Sequence, residues 1–284
     1  MSRAAWLNAA LAILVAALGA FFYLRPTTDS AVEFSLSALK ARDALSLRIE
    51  RAGAVPIVLE RRQDGWFITA PIAARADDAR VQQALAIVEA RTTHRLPAAD
   101  RERFGLEPPA ARLIVDGQTF GLGLVNELTR EQYVLAGDAV FTVHPRYGAA
   151  LPVSAFQMAS RQLLASGEVP QRIALKDFTV EQRDGKWTLS SGSGDLSQDD
   201  LIRWVDEWRL ASALRVEPGP AMRARDEIRI ELKNGSRIAL GVISREPELV
   251  LARSDEKLQY RFGAALAKRL LSPPAALEER AETK

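Results

Sequence analysis

A chain of 284 residues, 48% hydrophobic and 26% charged, has the composition of folded domains and is long enough for two of them. The 38 Lys+Arg and 36 Asp+Glu leave a formal charge of +2, and no adjacent basic residues exceed a pair such as Arg61-Arg62, which excludes the electrostatic footprint of a nucleic-acid binder. Cysteine is absent, which excludes disulfides, thiolate metal ligands and thiol nucleophiles.

From Ala4 to Leu24 no residue is charged, and only Asn8 is strongly polar. At about 1.5 Å of rise per residue, such a run covers a hydrocarbon core roughly 30 Å thick. Trp6 stands near one end and Phe21, Phe22 and Tyr23 at the other, where aromatic belts meet the interface, and Arg25-Pro26 ends the run. A cleaved leader is the rival reading, since Ala17 and Gly19 are small enough for a cleavage site. The run stays apolar through Leu24, however, where a mature terminus should turn polar, so an uncleaved signal anchor is expected over residues 1–24. Arg3 lies on one side and Arg25, Lys40 and Arg42 on the other, so charge does not orient the span; long domains translocate largely regardless of charge, which places the short tail inside and the large domain outside.

Further on, Val58-Leu59-Glu60-Arg61-Arg62-Gln63-Asp64-Gly65-Trp66-Phe67-Ile68 reads as strand, Asp-Gly turn and Trp-led strand. Asp77-Asp78 then precedes Val81, Ala84, Leu85 and Val88, an apolar stripe at helical spacing. Carboxylates at that position cap free N–H groups and suit the positive end of the helix dipole. Arg112-Leu113-Ile114-Val115-Asp116-Gly117 opens a hairpin. Gly121-Leu122-Gly123 falls in its return strand and lacks the third glycine and the helix of a dinucleotide loop, so it reads as a strand bend. Val134-Leu135-Ala136 and Tyr147-Gly148-Ala149-Ala150-Leu151 close this stretch.

The same series then recurs. Val180-Glu181-Gln182-Arg183-Asp184-Gly185-Lys186-Trp187-Thr188-Leu189 repeats the first hairpin, and Asp199-Asp200 precedes Leu201, Trp204, Val205, Trp208 and Ala211 at helical spacing. Ile228 to Asn234-Gly235 repeats the second hairpin, followed by Val250-Leu251-Ala252 and Phe262-Gly263-Ala264-Ala265-Leu266. Matches in one order across two halves predict a duplication: two tandem α+β units, each a mostly antiparallel sheet covered by one amphipathic helix. Each unit reads as three strands, a helix, four strands and a short helix. The expected divisions are the anchor 1–24, a juxtamembrane connector 25–44, units 45–164 and 165–272 joined through Ala165 to Val169, and a polar tail 273–284 opened by Pro273-Pro274.

Trp66 with Pro71, Ala76-Asp77 at the helix start, Phe104-Gly105-Leu106-Glu107-Pro108-Pro109 before the hairpin, and Tyr133-Val134 resemble a bacterial envelope family, the domain of unknown function 4340. Gly-Leu-x-Pro-Pro is the most specific of these elements. The resemblance runs over roughly residues 45–160; in the second unit it holds in outline only, because Trp187 lacks the following proline and nothing near Arg225 repeats Gly-Leu-x-Pro-Pro. The family's members are typically single-pass envelope proteins, often encoded beside ABC-transporter components of the gliding-motility type. The resemblance therefore implies an envelope location and a transporter-associated accessory role, and it implies no catalytic residues.

The residues offer little chemistry of their own. His94 and His144 are the two histidines, and without cysteine a metal site would need both plus converging carboxylates, so structural or surface roles are expected. Ser154, His144 and Asp138 make a nucleophilic triad on paper, with no nucleophile turn to support it. Asp77 and Asp78 diverge by about 100° as helix neighbours and do not face one cleft. Asn234-Gly235-Ser236 matches a glycosylation sequon that the hairpin turn already explains. No catalytic, cofactor-binding or metal-binding residue is expected. Trp204 and Trp208 share a face with Leu201 and Val205 and are expected in the core; exposed, they would mark an interaction surface.

The expectation is a non-enzymatic binding or scaffold protein, single-pass in a bacterial inner membrane with its large domain in the periplasm. Its partners would be the membrane and an envelope or transporter protein, possessing no nucleic-acid role, as an accessory subunit of an ABC-type transport complex. The alternatives are an envelope enzyme acting on cell-wall or lipid substrates in a cleft between the units, and a lipid or small-ligand carrier with an apolar cavity beneath a helix.

Overall fold

A computed structural model describes residues 3–24, 32–190, 196–219, 224 and 226–274. Helix α1 (Arg3–Leu24) comes first, and its described side chains, Trp6 and residues 11–21, are exposed. Among the described residues no helix is long and apolar enough to cross a membrane. The start of the expected connector, residues 25–31, lies outside the described residues, as do residues 275–284 of the expected tail. The rest of the connector belongs to the folded body: β1 (Phe34–Ser35) pairs with the short strand Arg91–Thr92, and Leu36, Ala41 and Ala44 are buried in the core.

Strands β2 (Ser46–Arg51), β3 (Ile57–Arg62) and β4 (Gly65–Ala70) form a meander, extended at its edge by β5 (Ala74–Arg75). Asp77 caps α2 (Asp78–Leu85) by accepting the Arg80 N–H, and Val81, Ala84 and Leu85 face the core. A tighter turn, Ala86–Glu89, continues the apolar stripe by burying Ile87 and Val88. There follow β6 (Arg91–Thr92), β7 (Arg95–Pro97), β8 (Ala111–Val115), β9 (Gln118–Val125), β10 (Gln132–Ala136), β11 (Ala139–Val143) and α3 (Arg146–Ala149). The second half runs β12 (Pro170–Ala174), β13 (Thr179–Arg183), β14 (Lys186–Leu189), α4 (Gln198–Arg209), β15 (Arg215–Pro218), β16 (Asp226–Leu232), β17 (Arg237–Ser244), β18 (Leu249–Arg253), β19 (Leu258–Phe262) and α5 (Ala264–Leu271).

The fold is α+β, with two large antiparallel sheets, the small β1-β6 pair and few helices. The first sheet has the order β5-β4-β3-β2-β8-β9-β10-β11-β7 and the second β14-β13-β12-β16-β17-β18-β19-β15. With β5 set aside, the orders correspond strand for strand, and both sheets shift register at the corresponding pairing, β9 with β10 and β17 with β18. Periodicity did not predict β7 and β15, which leave the helix and cross to the far edge of each sheet. Both are short and end in a proline, Pro97 and Pro218, so neither shows an alternating pattern.

The outer edge of the second meander is closed by a side chain of the helix that follows, and that of the first chiefly by β5. Trp187 N–H donates to Gln198 Oε1 (2.8 Å), and Gln198 Nε2 donates to the Trp187 carbonyl (2.9 Å), so one amide occupies both ladder groups. In the first half Trp66 N–H reaches Asp78 (3.4 Å), and the Trp66 carbonyl accepts from Ala76 N–H (2.8 Å). The cap of α4 differs from the expected acidic pair: Ser197 is the N-cap, and Asp200 closes a reciprocal capping box with it.

One contiguous core joins the halves, with Leu47 and Phe120 from the first, Leu163 and Leu164 from the connecting segment, and Trp208 and Tyr260 from the second. The connecting segment is itself paired, Ala159 with Ala76 on one side and Gln162 with Ser212 on the other.

Candidate functional site

Residues 98–110 connect β7 to β8 across the sheet face turned away from the core. A 3-10 turn, Arg101–Phe104, opens at Asp100 and closes at Gly105, both in the left-handed region (φ 55° and 65°). Gly105 is required twice over, because a Cβ there would also lie 2.5 Å from Leu124 Cγ. Gly123 is required by the loop above it: its Cβ would come within 2.3 Å of the Phe104 carbonyl oxygen. The Phe104 ring packs on Tyr133 with centroids 4.6 Å apart, Leu106 is buried, and Ala110 N–H rejoins the sheet at the Leu122 carbonyl (2.9 Å). The strand bend expected at Gly121-Leu122-Gly123 is thus a flat seat for the Phe-Gly-Leu-Glu-Pro-Pro loop.

Between this loop and the sheet lies a groove of about 600 Å³, a volume suited to a small molecule. Its floor follows from register. On the outward face Glu50, Arg112, Gly121, Leu135, Val140 and Leu96 stand opposite one another across β2, β8, β9, β10, β11 and β7. Gly121 leaves a side-chain-sized gap in that row, with a guanidinium on one side and an isobutyl group on the other. Pro108 and Pro109 form the wall above, and Arg101, Glu107 and Thr119 stand at the rim.

The cations of the groove are thinly engaged. Arg112 approaches Glu50 only to 3.9 Å, and Glu50 already holds Arg48 at 2.7 Å. Arg101 donates through Nε to its own loop at the Ala98 carbonyl (3.2 Å). Glu107 is the single carboxylate in the lining, so the local charge is positive.

A second polar cluster lies at the junction of the halves. Arg253 is buried and donates to Glu168 (2.9 Å), Asp255 (3.0 Å) and the Leu163 carbonyl (2.6 Å). Arg75, from β5 of the first sheet, donates to Glu256 (2.5 Å) and to the carbonyls of Gln162 (2.9 Å) and Leu163 (3.2 Å). Tyr260 donates its hydroxyl to Glu256. Burial works against the charged form of Glu168, but hydrogen bonds from Arg253 and the Ala165 N–H outweigh it and hold the carboxyl below its ordinary range. Burial likewise opposes the charge on Arg253, and Glu168 and Asp255 more than offset it, so the guanidinium stays protonated. Burial, reinforced by Glu256, pushes the Tyr260 hydroxyl up. The cluster is a fixed set of counter-ions that ties the two halves together.

The residues singled out by sequence do not converge. Trp204 is 5% and Trp208 0% exposed, so both side chains belong to the core. Trp204 Nε1 donates to the Ser272 carbonyl (2.9 Å), and its rim lines a smaller groove of about 300 Å³ with Arg203, Lys268 and Pro273. His94 and His144 are exposed and separately engaged, His94 3.9 Å from Glu131 and His144 Nδ1 accepting the Arg146 N–H. Ser154 accepts the Phe156 N–H and Asp138 faces Arg95, so the paper triad has no shared geometry. Among the described residues no three His, Cys, Asp or Glu are grouped to hold a metal ion. Sequence reasoning missed Arg101 and Arg112 in the groove and the whole junction cluster. One signal was present for the latter: Arg253 ends the apolar run Leu249-Val250-Leu251-Ala252 without leaving the interior.

The family model described as domain of unknown function (DUF4340) matches residues 66–257. The match begins in β4 and ends between β18 and β19, so it takes in both sheets and extends well beyond the half in which the sequence resemblance is strongest. No curated protein and no solved structure matches the chain.

Proposed function

The chain belongs to the DUF4340 family, and from that premise we propose that it is a non-enzymatic binding or scaffold protein, anchored in a bacterial inner membrane by its N-terminal helix and serving an ABC-type transport complex from the periplasmic side. The observation that carries the binding role is the position of Gly105-Leu106-Glu107-Pro108-Pro109, the element on which the family resemblance chiefly rests: it builds the wall of a ligand-sized groove. The junction carboxylates Glu168 and Glu256 are committed to Arg253 and Arg75, which disfavours an inter-unit catalytic cleft. For the anchor, the support is the uncharged run Ala4 to Leu24 and the exposure of Leu11, Ile13, Leu14 and Val15, which nothing in the folded body covers. Matching strand orders, matching register shifts and one covering helix per sheet support descent of the halves from a single duplicated unit.

The test is photo-crosslinking in native membranes followed by pull-down. It compares the full chain with a version whose residues 1–24 are exchanged for an unrelated spanning helix. Recovery of transporter subunits by the full chain is the expected result, and their loss after the exchange would place the contact in the anchor. Recovery of no membrane-protein partner by either version would overturn the accessory role. Protease added to spheroplasts should digest the folded body from outside; protection until the membrane is broken would reverse the orientation.

A further inference from the structure

We propose that the groove over Gly121 is a binding site for a small organic anion, a carboxylate or phosphate carried on a compact apolar body. The anionic group is held by Arg101 and Arg112, and the apolar part lies in the Gly121 gap between Leu135 and Pro109. The inference concerns the purified chain alone and stands independently of the transport partner.

Three observations converge on it. First, two guanidinium groups border one groove with a single carboxylate in its lining; Arg101 has no ion pair among the described residues, and Arg112 has only the 3.9 Å approach to Glu50. Guanidinium donors left open in this way match the planar oxygens of carboxylate or phosphate. Second, the cavity is built rather than left over. Glycines at 105 and 123 allow the loop to press on the sheet, the Phe104–Tyr133 contact holds it there, and the cavity remains where Gly121 interrupts the row. A Cβ on Gly121 would meet Leu135 and Pro109 at an ordinary 3.6 to 3.7 Å, so the fold would accept a side chain at the position where the groove needs none.

Third, the other half serves as an internal comparison. Counted from the Gly117 and Gly235 turns, the residue in the place of Gly121 is Ala239, and its cross-strand neighbour Arg229 stands in the place of Arg112 but is held by Glu227 at 2.6 Å. Ala239 carries the methyl group that Gly121 lacks, and at Gly241, in the place of Gly123, Ala224 Cβ lies 2.7 Å from where a Cβ would stand. An open cation and an open space therefore occur together in the first half, whereas in the second the cation is ion-paired and a side chain stands in the glycine's place.

The experiment uses the full chain in neutral-lipid nanodiscs with ¹⁵N-glycine labelling, so that Gly121, Gly137 and Gly241 report separately. Probes are benzoate, phenyl phosphate, benzamide and inorganic phosphate. Expected are saturable shifts at Gly121 and Gly137 with benzoate or phenyl phosphate, no shift at Gly241, and binding at least tenfold weaker for benzamide and for inorganic phosphate. The relative strength of the two anionic probes tells which headgroup the site prefers. Arg101→Gln and Arg112→Gln should each weaken binding about tenfold or more, the loss of a charge-assisted hydrogen bond. Gly121→Ala should weaken it severalfold with an unchanged melting temperature. Equal binding of benzamide and benzoate, an unchanged affinity in both arginine variants, or no saturable shift with either anionic probe in the millimolar range would overturn the proposal. Inorganic phosphate binding as tightly as phenyl phosphate would remove its apolar half.

Discussion

Arg253 brings five N–H donors into the interior, and two carboxylates and a carbonyl meet them. Removing the cation would leave Glu168 with uncompensated charge in a partly buried setting, while Glu256 keeps Arg75. Arg253→Met should therefore cost about 3 kcal/mol, read as a lowered urea midpoint at unchanged m-value. Glu168 carries the pH dependence. Its carboxyl is held below the ordinary glutamate value near 4.5, so its stabilising contribution is complete above that value and is lost as pH falls through the folded-state value. Melting temperature measured from pH 7 downward should fall once the pH passes below about 4.5, and Glu168→Gln should be less stable at pH 7 with a shallower acid limb. An acid limb of unchanged slope in that variant would assign the effect to other carboxylates. Beyond Arg253 at the end of an apolar run, none of this was legible in sequence, because Arg75 and Tyr260, which share Glu256, are 185 residues apart and no local pattern links them.

At the level of elements, local physics carried the reading a long way. The stripes Val81-Ala84-Leu85 and Leu201-Trp204-Val205-Trp208 are buried on their helices, and Asp116-Gly117 turns its hairpin with both residues at positive φ (46° and 86°). What escaped are elements without a periodic signature: β7 and β15, the buried Leu36, Ala41 and Ala44 of the connector, and the seating of the Phe104 to Pro109 loop. That loop was legible as a motif and not as a wall, since its seat depends on Gly123 and Leu124, which belong to the hairpin it precedes. The edge of β14 offers a direct test of element-level design. Gln198→Ala removes both bonds to Trp187 and should cost about 1 to 2 kcal/mol. It also uncovers a ladder position, so light scattering should report more self-association than in the parent chain. Unchanged stability and scattering together would mean the edge is closed by some other means.

For the molecule as a whole, the shared core and the junction cluster predict a single cooperative unit. With Trp6, Trp187, Trp204 and Trp208 replaced by Phe, the fluorescence of Trp66 should follow the first half; with Trp6 and Trp66 replaced by Phe, the remaining three should follow the second. Urea midpoints, each compared with the circular-dichroism transition of the same variant, should coincide. Distinct midpoints would make the halves independent domains, and Arg75→Met combined with Arg253→Met should drive them in that direction. The placement of Glu168 has a mechanical consequence. This residue sits in the short covalent link between the halves and is clasped by Arg253 of the far sheet, while Arg75 grips the same link from the near one. The link therefore has no slack to give. A load on the second sheet would pass directly into the first as through a rigid lever, and a pulling experiment on the full chain should record one force peak for the folded body instead of two.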